Sequence, residues 1–141
     1  MTMQSQVFIS YSGHDAFEAS LLQYALEILL KDQGVVAWTF ERDQSRSEKD
    51  IAQSLKKRVQ QSLATVFLVS PKTLDGGGAA QWMELAYADA FEVPTFVLLH
   101  HLDYQELKSR QGGVPPLFLA GQCNETRDWR RIPEEIRQII W

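Results

Sequence analysis

Thr65-Val66-Phe67-Leu68-Val69-Ser70, then Asp75-Gly76-Gly77-Gly78, then Ala80-Gln81-Trp82-Met83-Glu84-Leu85-Ala86-Tyr87-Ala88-Asp89-Ala90-Phe91 reads as strand, loop and helix. The first run is apolar along its length, as a strand buried on both faces must be, and the glycines mark a turn. Such strands belong to parallel sheets covered by helices. The loops after their C-termini line the ligand crevice. Glu84, read as a first-turn residue of the helix, therefore stands where chemistry is done. The plainer reading is that acidic residues collect in first turns because the helix dipole favours them.

Outward from this unit the same alternation repeats. Gln6-Val7-Phe8-Ile9-Ser10-Tyr11 reads as the first strand, broken by Ser12-Gly13-His14. Asp15 and Glu18 have capping-box spacing, and Phe17, Leu21, Leu22, Ala25 and Leu29 form a helical stripe ending at Gly34. Val35 to Phe40 is the second strand, and Glu41 to Arg46 is a polar loop. A second helix from Ser47 places Ile51, Leu55, Val59 and Ser62 on one stripe, with Lys49, Lys56, Lys57 and Gln60 away from it. After Pro94, Thr95 to His100 is the fourth strand and Asp103 to Arg110 a short helix. Leu117-Phe118-Leu119-Ala120 reads as a fifth strand, and Pro133 opens the last helix. The fold expected is a doubly wound α/β domain, five parallel strands in the order 2-1-3-4-5 with helices on both faces. In that order the loops Ser12-Gly13-His14 and Pro71 to Gly78 face each other, and Glu84 opens between them.

The 141 residues suit one domain, with neither repeats nor low-complexity tracts. Fourteen basic against 18 acidic residues disfavour direct binding of nucleic acid or an anionic membrane. Lys56-Lys57-Arg58 and Arg127, Arg130 and Arg131 read as solvated faces. Cys123 is the only cysteine, which points to a reducing, cytoplasmic compartment and excludes a cysteine-based zinc site. His100 and His101 end a strand, but adjacent strand residues point to opposite faces and no ligand lies at metal spacing. No metal is expected. No apolar run approaches the length needed to span a membrane. The chain ends in Ile139-Ile140-Trp141, which suits a complete small protein and equally a domain cut from a longer chain.

Val7-Phe8-Ile9-Ser10-Tyr11-Ser12-Gly13-His14-Asp15 resembles the first box of Toll/interleukin-receptor (TIR) domains, most closely their bacterial forms. Trp82-Met83-Glu84-Leu85-Ala86-Tyr87-Ala88 is similar to the segment opening the family's third helix, and Ala64 to Pro71 to the strand before it. The resemblance runs over nearly the whole of residues 1–141. Two departures stand out. Arg42-Asp43 is present, but Gln44-Ser45-Arg46-Ser47 replaces the Pro-Gly that often follows. The Trp commonly precedes the Glu by four residues in enzymatic members, whereas Trp82 and Glu84 are two apart, about 200° around a helix. Trp82 then either precedes the helix and folds over the site, or belongs to the core.

The resemblance implies one of two functions: cleavage of NAD+ at the nicotinamide–ribose bond, or non-catalytic adaptor signalling by self-association. The bond joins a cationic pyridinium to ribose, so the leaving group departs neutral and needs no general acid. A single carboxylate stabilising the oxocarbenium-like ribose suffices, unlike the pair in ordinary glycosidases. Glu84 is the candidate catalytic residue. Tyr11, Phe40 and Trp82 could stack on bases, Ser10 and Ser12 could bond the substrate, and Arg42 and Asp43 lie in a loop suited to contacts with a neighbouring copy. Phe40 at a strand end is more often a core residue than a base platform, and His14 carries no proton-transfer role. NAD+ is expected as substrate, with no cofactor, and the product as ADP-ribose or a cyclic ADP-ribose. Self-assembly, a sensor domain or partner protein, and a setting in anti-phage defence are implied by the resemblance alone. A nucleoside deoxyribosyltransferase, which shares a doubly wound sheet and a carboxylate after a strand, is the further alternative. A receiver domain is set aside because Ser-Tyr-Ser and Ser-Pro-Lys stand where it needs acids.

Overall fold

The computed structural model describes residues 5–12, 15–39, 56–71, 73–74, 79–109, 122–125 and 129–140. Strands β1 (Ser5–Ser10), β2 (Val35–Thr39), β3 (Ala64–Val69), β4 (Thr95–Leu99) and β5 (Gln122–Glu125) form one parallel sheet in the order β2-β1-β3-β4-β5. Between them run helices α1 (Ala16–Leu29), α2 (residues 56–60), α3 (Ala79–Ala90) and α4 (Tyr104–Ser109), with α5 (Arg131–Ile140) last. Val7 of β1 lies opposite Ala37 of β2 and Ala64 of β3, which makes β1 an inner strand.

Alternation along the strands builds two cores. Val7, Ile9, Ala64, Val66, Leu68, Phe96 and Leu98 face α1 and α5, where Ala19, Leu22, Leu26, Ile132 and Ile136 cover them. Phe67, Val69, Val97 and Leu99 point the other way, against Leu85 of α3 and Leu107 of α4. Phe8 and Trp38 stack at 5.1 Å between ring centres on that second face, closed by Val59 of α2 and Ala88 of α3. Helices thus cover both faces, and continuous apolar strands such as Ala64–Val69 are explained by burial on each side.

The parallel α/β architecture and the order β2-β1-β3-β4 follow the sequence-based expectation. The fifth strand is not where that expectation placed it. Gln122–Glu125 pairs with β4, whereas Leu117 to Ala120 lies outside the described residues. An edge strand paired on one side needs little apolar character, and Gln-Cys-Asn-Glu has little. The stripe expected on α1 is also corrected. Ala19, Leu22, Gln23 and Leu26 are buried, whereas Phe17, Leu21, Tyr24, Ile28 and Leu29 are exposed. This helix is apolar on two sides, so periodicity could not decide which side packs.

Terminal signals fared unevenly. Gly34 ends the α1 segment in the left-handed conformation at φ 68°, donating its N–H to the Lys31 carbonyl, as its place in the sequence predicts. Asp103 caps α4 through a 2.8 Å bond from the Glu106 N–H. Asp15 makes no side-chain cap on α1. In the second helix Val59 is buried, and Lys56, Lys57 and Gln60 are exposed as expected; Lys49, Ile51 and Leu55 fall outside the described residues. Arg58 departs from the solvated basic face: its guanidinium lies 5.3 Å from the centre of the Trp38 ring and bonds the Gln6 side chain.

Candidate active site

Parallel strands leave their last carbonyls unshared where neighbouring connections leave in opposite directions, here between β1 and β3. Gln81 fills that gap. It is fully buried, and its Nε2 donates to the carbonyls of Ser10 (3.2 Å) and Leu68 (3.0 Å), binding the two strand ends together. Helix α3 begins at Ala79, so Gln81 and Glu84, three residues apart, share its inward side.

Glu84 is therefore the sixth residue of α3 and not in its first turn, which contains no acid. The helix dipole, which fades beyond the first turn, does not hold it ionised. Its side chain is 5 % exposed, and loss of water pushes its carboxyl up to about 8. The Ser10 hydroxyl beside it pulls more weakly in the other direction. That hydroxyl stops short of hydrogen-bonding geometry and is buried without a partner. The same holds for the Ser12 hydroxyl and Gln81 Oε1. Buried polar atoms are normally satisfied, so three such atoms, two at the end of β1 and one on α3, mark a place prepared for a polar ligand.

A second pair fixes the surrounding loops. Ser70 Oγ, just after β3, donates to Asp15 Oδ2 at 2.5 Å, and both residues are buried. The Asp15 N–H bonds the Ser12 carbonyl, and Thr73 Oγ1 accepts from the Ser70 N–H. The loops after β1 and β3 are thus joined directly, on the two sides of the crevice that the strand order predicts.

Of the residues singled out from sequence, Ser10, Ser12 and Glu84 lie at this crevice. Tyr11 packs against the core facing α1 and α5, away from α3. Phe40, Arg42 and Asp43 lie outside the described residues. Trp82 is within α3, which removes the possibility that it precedes the helix. Sequence reasoning missed Gln81, whose signal was its three-residue spacing from Glu84. It also read Asp15 as a cap, when its partner is a hydroxyl far along the chain. Among the described residues no group of three His, Cys, Asp or Glu is placed to hold a metal ion, and no helix is long and apolar enough to cross a membrane.

The fold and the crevice define a doubly wound α/β domain with a buried carboxyl at its switch point. The chain belongs to the TIR domain family, whose sequence pattern matches residues 7–132. No curated protein matches it by sequence. Among solved structures it is similar to the SEFIR domain of interleukin-17 receptor B, with 13 % identity, a TM-score of 0.62 and full coverage of both chains. It is similar to the TIR domains of the activated Roq1 resistosome, with 14 % identity, a TM-score of 0.54 and coverage of 97 % of this chain and 84 % of that one. A 2-deoxyribosyltransferase from Bacillus psychrosaccharolyticus is also similar, with 11 % identity, a TM-score of 0.62 and coverage of 92 % and 90 %. At these identities the likeness is one of fold.

Proposed function

We propose that this TIR domain cleaves NAD+ at the nicotinamide–ribose bond, with Glu84 as the catalytic carboxylate. The observation that carries this reading is Glu84 itself, buried beside the Ser10 hydroxyl at the crevice between β1 and β3 in a chain of this family. At pH 7 the carboxyl is neutral, since its pKa is raised to about 8. A ligand bearing a pyridinium brings a positive charge against it and favours the ionised form. The carboxylate then stabilises positive charge developing on the ribose as nicotinamide leaves as a neutral base, and water or a group of the substrate completes the bond at C1′. The Ser10 and Ser12 hydroxyls and Gln81 Oε1 have free hydrogen-bonding capacity for the sugar and its diphosphate.

Self-association of the domain, through the loop that holds Arg42 and Asp43, completes the proposed active state, with a sensor domain or partner protein as trigger in anti-phage defence. NAD+ acts as substrate, and the protein works in the cytoplasm. Stacking by Phe40 on a base belongs to the same proposal.

The test is nicotinamide release by the domain at high concentration on a surface that forces assembly, beside Glu84→Ala and Glu84→Gln. Release lost in both variants, with the fold retained, supports the enzyme. No release from an assembled wild-type sample would favour the adaptor. The likeness of fold to 2-deoxyribosyltransferases makes deoxyadenosine with free cytosine the second substrate to offer. Base exchange there, with NAD+ untouched, would move the assignment to that chemistry.

A further inference from the structure

The two edge strands of the sheet are protected in different ways. At one edge β5 reads Gln-Cys-Asn-Glu, polar and ending in a charge. At the other, β2 reads Val-Val-Ala-Trp-Thr, in which every residue but Ala37 is β-branched or aromatic and none is charged. A strand of that composition, left open at a sheet edge, pairs readily with another chain. The usual devices against such pairing are a lysine, a proline or a bulge, and β2 carries none of them between Val35 and Thr39.

Helix α1 supplies the protection instead. Gln23 Nε2 donates to the Ala37 carbonyl at 2.9 Å, and the Ala37 N–H donates to Glu27 Oε1 at 3.1 Å. Gln23 and Glu27 lie one turn apart on α1 and so project from the same side of it. The Val35 N–H bonds the Leu30 carbonyl at 3.3 Å. Backbone groups of a strand alternate in direction, so those of Val35 and Ala37 both point away from β1. These are the groups a new strand would need. Beside them, Tyr24 and Ile28, 69 % and 57 % exposed, rim a hollow of about 360 Å³ against Val35 and Val36. A docked strand would cover that apolar surface.

We propose that the free edge of β2 is a docking edge for β2 of a second copy, held closed at rest by Gln23 and Glu27 of α1. Nothing in this depends on what Glu84 does. Two copies related by a two-fold axis present the same edge to each other, so the strands meet antiparallel and one sheet continues across both. A second copy fits because an uncharged strand brings no repulsion to its own image. Pairing requires Gln23 and Glu27 to release Ala37 first. The test is hydrogen exchange of the Ala37 amide in the whole chain, with the mass followed by sedimentation. The Leu68 amide, on inner strand β3, reports opening of the fold as a whole. In dilute solution Gln23→Leu with Glu27→Leu should exchange Ala37 about tenfold faster than wild type, the effect of one lost hydrogen bond, with Leu68 unchanged. Glu27→Gln, which keeps an acceptor, should match the wild type. Raising the concentration should restore Ala37 protection in the double variant and double its mass relative to wild type. Val36→Lys added to it puts a charge on the edge and should abolish both effects. Unchanged exchange, equal acceleration at Ala37 and Leu68, or an unprotected edge that never responds to concentration overturns the proposal.

Discussion

Asp15 and Ser70, 55 residues apart, are joined by a 2.5 Å hydrogen bond that links the loop after β1 to the loop after β3. Removing the hydroxyl leaves a carboxylate buried without its donor. Ser70→Ala should therefore cost about 2 kcal/mol of stability by denaturant unfolding, and Asp15→Ala with Ser70→Ala should cost less than the two singles together. Additive losses in that cycle would show that the bond does not couple the loops.

Gln81 donates to two buried carbonyls from different strands. Gln81→Leu keeps the volume and deletes both donors, so a loss of roughly 2 to 3 kcal/mol is expected in the same unfolding measurement. Gln81→Glu should be at least as damaging, because an ionised carboxylate would face the Ser10 and Leu68 carbonyls without a donor.

Stability should fall as pH rises through the range set by Glu84. Its folded pKa of about 8 lies above the ordinary value of 4.5, so the folded protein holds a proton that the unfolded chain has released between those limits. The contribution is fully present below about pH 4.5, declines from there and is gone above about pH 8, amounting to roughly 5 kcal/mol at most. Melting temperatures of wild type and Glu84→Gln, compared from pH 5 to pH 9, check this. The wild type should lose roughly ten degrees or more relative to the variant over that range.

The same carboxyl sets the pH dependence of the proposed reaction. For a catalyst that must be ionised, kcat/KM follows the free enzyme and should rise about tenfold per unit up to about pH 8. The limb in kcat should lie at lower pH, since a bound pyridinium favours the carboxylate. Steady-state rates across pH 5.5 to 9 distinguish this from a carboxylate already ionised at rest, for which kcat/KM would be flat above pH 6.

The architecture was legible because burial on both faces leaves a plain mark: Thr65 to Val69 and Phe96 to Leu99 can be little else than inner strands. Glu84 was legible through motif and position, but its environment was not. Placing Glu84 one turn too close to the start of α3 moved it from an interior turn, where burial opposes charge, to a helix end, where the dipole favours it. Gln81 escaped notice because its role depends on carbonyls of Ser10 and Leu68, which side-chain patterns do not report. Asp15 was assigned to the nearest backbone when its partner was distant. Where α1 carries apolar residues on two sides, only the packing of the sheet chooses between Leu26 and Tyr24.

Every pairing in the sheet is parallel, and β1 finds both its neighbours later in the chain, Val7 meeting first Ala37 and then Ala64. No two of the described strands are joined by a tight hairpin that could start the process. Folding must close long loops before any strand gains a partner, which slows it relative to helical or hairpin-rich domains of equal length. During synthesis Phe8 and Ile9 wait without cover on at least one side until β3 has emerged. The order in which strands are made differs from the order in which they lie, so the half-made chain, more than the finished domain, is the species open to aggregation and to capture by chaperones.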